Sequence, residues 1–154
     1  MSIVIRFVKH ATIASDAIAL FQKDGWATHA EAQMPDGSGF LGAQLQGVVV
    51  EPVGYDKGDV LREQLVTLTD ATPEQADKFY TFLHEQLGKP YDYVAIAGVA
   101  LGRDWREGKS WFCSELVAAA LEHADYWKLA SDTNHVTPRD LYLVVSGRIA
   151  FKGK

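Results

Sequence analysis

The feature that most constrains this chain is a change of hydrophobic period near residue 70. Before it, short apolar–polar alternations are divided by Gly, Pro and Asp. After it, apolar residues recur every three or four positions. Strands gathered in one half and helices in the other give an α+β domain, with an antiparallel sheet packed on helices, rather than an alternating α/β one. Ser2–Lys9 reads as a strand, with Ile3, Ile5 and Phe7 alternating against Val4, Arg6 and Val8. Ser15 or Asp16 is a cap for a short helix carrying Ala17, Ile18, Leu20 and Phe21, stopped at Asp24-Gly25. Trp26–Gln33 and Phe40–Val53 read as a hairpin around Pro35–Gly39, its second strand bent at Gly42 or Gly47. Asp59–Leu68 is a further strand.

The helical half opens at Thr72-Pro73-Glu74-Gln75, an N-cap followed by Pro and, at the third helical position, Gln. Ala76, Phe79, Tyr80, Leu83 and Leu87 form its apolar stripe, and Gly88 with Pro90 ends it. Tyr91–Leu101 reads as a second helix. Ser110 is a cap for a third, running to about Ala124 with Phe112, Leu116, Val117, Ala120 and Leu121 buried. Thr137-Pro138-Arg139-Asp140 repeats the capping pattern before Leu141–Val145.

Length and charge narrow the function classes. With 154 residues and no dividing linker, residues 1–154 form one domain. Fifteen Lys+Arg against twenty Asp+Glu leave a net charge of −5, so nucleic acid is not an expected partner. The longest apolar run, Val94–Leu101, is far short of the roughly 20 residues a bilayer requires. Met1–His10 lacks the pattern of a signal peptide. The expectation is a cytoplasmic or virion-associated chain with no transmembrane segment. One cysteine, Cys113, excludes an internal disulfide and the multi-cysteine zinc sites. His10, His29, His84, His123 and His135 contain no i, i+4 pair, so no metal or cofactor is expected.

Gly37-Ser38-Gly39-Phe40-Leu41-Gly42 matches the dinucleotide fingerprint letter for letter. A strand follows it, however, where pyrophosphate binding needs a helix N-terminus, so these are hairpin glycines. Cys113 has two readings. It shares a helix face with Leu116, Val117 and Ala120, which suits a core thiol. It also lies in the first turn after Ser110, where free amides and the positive dipole end favour a thiolate. A nucleophile there needs a base, and His29, in mid-strand, is the candidate.

Taken together, Trp111-Phe112-Cys113-Ser114-Glu115-Leu116-Val117 resembles the Cys-Ser-Glu-Leu-Val nucleophile helix of the permuted NlpC-type papain-like family, the YiiX-type proteins. Thr28-His29 with the Gly-rich turn and Gly42-Ala43 and Gly47-Val48 resembles that family's histidine hairpin. Gly88-Lys89-Pro90-Tyr91-Asp92-Tyr93 and Val136-Thr137-Pro138-Arg139-Asp140-Leu141 resemble its Gly-x-x-Tyr-Asp and closing Thr-Pro segments. The likeness spans about Ala14 to Leu143, with His before Cys as permutation requires.

The resemblance implies a papain-like fold and acyl transfer. Cys113 attacks an amide or ester carbonyl, its own amide helps hold the oxyanion, and His29 moves the proton. The substrate is a peptide amide, such as a cell-wall stem peptide, or a lipid ester of the kind handled by lecithin:retinol acyltransferase-like proteins. The alternative is a non-catalytic binding module, or a phage structural one, that keeps the fold. The family's ring-orienting residue aligns with Gly42, which has no side chain. Gln44, Glu31 and Gln46 are the replacements, in that order. A turn centred between Gly37 and Ser38 would put Gln46 opposite His29 and Gln44 opposite Glu31. Tyr91, Trp111 and Ser110 are the candidate substrate-binding residues. Glu115 points away from Cys113 and reads as a partner for a backbone amide or for Arg139.

Overall fold

The computed structural model describes residues 1–22, 25–93, 110–130 and 136–152. Five strands, β1 (Ile3–His10), β2 (His29–Gln33), β3 (Gly39–Gln44), β4 (Gly47–Pro52) and β5 (Val60–Leu68), form one antiparallel sheet in the order β4-β3-β2-β1-β5. The helices are α1 (Ile13–Phe21), α2 (Pro73–Glu85), α3 (Cys113–His123) and α4 (Pro138–Lys152). The α+β class is as the sequence indicates. The expected Tyr91–Leu101 helix falls largely outside the described residues, as does His135. No helix among the described residues is long and apolar enough to cross a membrane.

The two faces of the sheet have opposite chemistry. Ile5, Phe7, Ala30, Ala32, Leu41 and Ala43 occupy one face and join Phe79, Leu83, Leu116, Val117 and Ala120 in the core. The alanines on β2 and β3 let α3 approach that face closely. The other face carries Arg6 and Glu31, which are directly opposite each other and both buried, and Val8 opposite His29.

The hairpin register differs from the one read in the sequence by two residues. Ala32 pairs with Leu41 and Gln33 with Phe40. Met34 N–H donates to the Gly39 carbonyl at 2.8 Å, which closes the turn around Asp36-Gly37. Asp36 fixes it there, because its carboxylate accepts from the Ser38 amide at 2.9 Å and the Ser38 hydroxyl at 2.6 Å. The register continued along the strands sets Gly42 opposite Glu31 and Gln44 opposite His29. An even shift preserves the faces, so the same polar side chains still share one side.

Other boundaries move for local reasons. Thr12, not Ser15 or Asp16, caps α1, accepting from the Ser15 amide at 3.1 Å. Ser15 is instead buried against Thr28, with the hydroxyls 2.6 Å apart. The expected strand Phe40–Val53 is two strands, reversed at Leu45-Gln46 through Gly47, whose φ is +121°. Ser110 does not cap α3. Phe112 holds the N-cap position in extended conformation, so Cys113 is the first helical residue. The α2 capping box between Thr72 and Gln75 is present as read.

Gly47 also admits a hook of chain. Val48 N–H donates to the Lys89 carbonyl, and Gly88 N–H to the Val48 carbonyl, each at 2.9 Å. A Cβ on Gly47 would stand 2.8 Å from that Lys89 oxygen. Gly47→Ala should therefore lower stability by about 1–3 kcal/mol, through left-handed strain and loss of the hook. Denaturant unfolding checks this, and an unchanged midpoint would contradict it.

Candidate active site

The first turn of α3 presents Cys113 with amides that precede the helix's own ladder. Its first bond runs from Leu116 N–H to the Phe112 carbonyl, at 3.0 Å. The entry is held by Glu115, whose carboxylate accepts from the Phe112 amide at 3.3 Å. Burial and the charge of Asp92 push that carboxyl up to about 7, against the pull of the Phe112 amide. Arg139 does not meet Glu115. It donates to the Gln22 carbonyl at 3.1 Å.

Cys113 is fully buried and its side chain lies beside the ring of His29, close enough to raise the pKa of that ring. The other side of the ring meets Glu31, whose Oε2 lies 3.2 Å from Nε2. With Nε2–H committed to the carboxylate, Nδ1 is the nitrogen left for sulfur. Burial alone would lower the His29 pKa. The hydrogen bonds and charges of Cys113 and Glu31 outweigh it and push the imidazolium up to about 10.

Glu31 is fully buried and yet held ionised. Burial raises its pKa, but bonds and charge from His29 and Arg6 bring it below the ordinary carboxylate value. Arg6 Nη1 donates to Glu31 Oε1 at 2.7 Å. The same guanidinium grips Asp56 at 3.0 and 3.1 Å and, through Nε, Glu63 at 2.7 Å. Phe40 covers it, with the guanidinium carbon 4.5 Å from the ring centre. Tyr55 donates to Glu31 Oε2 at 3.0 Å. Burial and the charges of Glu31 and Asp56 push this phenol above its ordinary pKa, so it stays a neutral donor.

Gln44 Nε2 lies 3.2 Å from His29 Nε2. Two N–H groups cannot bond each other. Gln44 instead donates to Glu31 Oε2 at 2.9 Å and to the Tyr55 oxygen at 2.8 Å. It acts on the ring through the carboxylate. Gly42 has a clear reason: a Cβ there would stand 2.8 Å from Glu31 Cβ. The missing side chain makes room for a carboxylate supplied from the histidine's own strand.

A cleft of about 240 Å³ opens beside the pair. Its walls include His29, Gln44, Gln46, Tyr55 and Tyr91. Tyr91 also packs against Phe112, with ring centres 6.0 Å apart. Gln46 bonds Glu51 at 2.6 Å and so does not orient the ring. The described walls include neither Trp111 nor Ser110. Trp111 is instead tied to Gln86 at 3.1 Å, and its ring centre lies 6.0 Å from that of Phe82. Cys113 itself does not line the cleft.

The sequence reading missed the residues behind Glu31. Arg6, Asp56 and Tyr55 come from β1 and the β4–β5 loop, and only Arg6 left a signal, as a lone charge inside an apolar strand pattern.

Compared with known families and curated proteins, the sequence matches no family model and no curated relative.

The His29 ring should remain protonated well past pH 8, as read by its ring nitrogen chemical shifts. Glu31→Gln removes an anion that favours the charged ring, so it should bring the midpoint down by about one unit or more. A wild-type midpoint near 6.5 would contradict the pairing.

Proposed function

We propose that this protein is a cysteine hydrolase of the permuted NlpC-type papain-like kind, acting on an amide or ester through Cys113 and His29. The observation that carries the reading is a buried cysteine at a helix start set beside a histidine ring whose Nε2 rests on a buried, ionised carboxylate. That is the order of parts that nucleophilic acyl transfer needs: nucleophile, base and an acceptor that fixes the base. The sulfur attacks the carbonyl carbon while His29 holds the thiol proton. The developing oxyanion lies within reach of the first-turn amides of α3, Cys113's own among them. The acyl-enzyme thioester is then cleaved by water. Tyr91 lines the cleft and packs beside the helix start, so it is a candidate to contact the acyl group. The small cleft suits one side chain, a short peptide end or the head of a lipid ester. No cofactor takes part.

A second reading has its own support. Cys113 is fully buried and stands outside the cleft walls. A dyad closed to substrate suits a non-catalytic binding module that keeps the fold.

One experiment separates the two. A panel of electrophilic amides and esters should label wild-type protein at Cys113 and release product, while Cys113→Ala does neither and keeps its thermal unfolding profile. Folded wild-type protein that no member of the panel labels would favour the binding module. Equal turnover in Cys113→Ala would remove the cysteine mechanism.

A further inference from the structure

A second histidine–carboxylate pair opens onto the same cleft. His10 ends β1, two residues beyond Val8, the partner of His29 in the sheet. Its Nε2 lies 2.6 Å from Asp56 Oδ2. Asp56 is in turn gripped by two nitrogens of Arg6, the residue that also holds Glu31. The His10 and His29 rings are 5.6 Å apart between centres, and both line the cleft. Each ring thus has a carboxylate at Nε2, and both carboxylates share one guanidinium. The reaction proposed above uses only one of the two rings.

We propose that His10 is the general acid of the reaction, giving its proton to the leaving group while His29 stays beside the sulfur. This rests on the cysteine-hydrolase reading and assigns one of its proton transfers. The spacing supports it. Two rings 5.6 Å apart can flank one scissile bond, with the nucleophile's partner on one side and the leaving group on the other. With Nε2 on Asp56, Nδ1 is the His10 nitrogen available to substrate.

The proton count closes. The thiolate forms the C–S bond, and the carbonyl π electrons move to oxygen. On collapse the C–N bond breaks, and the amine nitrogen takes the proton of His10 H⁺. Neutral His10 then accepts a proton from water as its oxygen attacks the thioester. The C–S bond breaks, thiolate returns to His29 H⁺, and His10 is again protonated. The sum is amide plus water giving acid plus amine.

The test uses leaving groups that differ in their need for a proton. One acyl group that wild-type protein turns over is offered as its p-nitroanilide and as its p-nitrophenyl ester. An anilide needs protonation to depart, and nitrophenolate does not. In His10→Gln, kcat/KM for the anilide should fall about 100-fold, the usual lower range for a lost general acid. The ester's acylation burst should keep its rate within about threefold, and iodoacetamide should alkylate Cys113 at the wild-type rate. Equal losses on both leaving groups, or no loss on either, would overturn the assignment while leaving the cysteine mechanism standing. An absent acyl-enzyme in wild-type protein would overturn the hydrolase reading and this inference with it. Slowed alkylation in His10→Gln would show that the ring only supports His29, and would also overturn it. His10→Asn and thermal unfolding guard against misreading a folding defect.

Discussion

The buried contact between Arg6 and Glu31 is the interaction on which the rest of this site depends. Two ionised side chains removed from water are costly unless their hydrogen bonds are filled. Here they nearly are. Glu31 accepts from Arg6, Tyr55, Gln44 and the His29 ring, and Arg6 is shared among three carboxylates. Removing either partner would strand a charge, at a cost on the order of 3–5 kcal/mol. The contact is therefore weak evidence for stability and better evidence for orientation. It turns one carboxylate oxygen toward the histidine and fixes it there.

The sheet makes this possible through antiparallel register. Arg6 and Glu31 are direct cross-strand partners, and Val8 and His29 come next along the same pair. Along β2, residues two apart share a face, so Glu31 reaches the ring of His29 from its own strand. Gly42 on β3 leaves the space that Glu31 fills. On the other face, the alanines of β2 and β3 admit α3, whose first residue is the cysteine. The first residue of β2 and the first residue of a helix are thus brought together by packing that is otherwise ordinary.

Much of the fold was legible in the sequence, because it lies in periodicity and punctuation. The strand-rich half, the α2 capping box and the hairpin at Pro35–Gly39 all follow from local chemistry. The hairpin register did not, since the Asp36 side chain moved the turn by one residue and the pairing by two. The helix start at Cys113 was misjudged because Ser110 is a good cap residue, whereas Phe112 is not and is held there by Glu115. Among site residues, Cys113, His29, Glu31 and Gln44 were all named. The order of the last two was reversed: Gln44 was ranked ahead of Glu31, yet Glu31 is the residue that accepts from the ring, because its position depends on Arg6, and an ion pair formed across twenty-five residues leaves no spacing to read. Trp111 resembled a pocket residue through its place beside the cysteine, but its indole N–H is taken by Gln86.

The central claim is that His29, fixed by Glu31, governs the reactivity of the Cys113 sulfur. Its most direct measurement is the rate of iodoacetamide alkylation from pH 6 to pH 9, in wild-type protein and in His29→Ala. The account predicts that wild-type protein reacts at pH 6 at a large fraction of its pH 9 rate, whereas His29→Ala reacts slowly at pH 6 and speeds up steeply as the solution becomes basic. The same pH dependence in both proteins would contradict it.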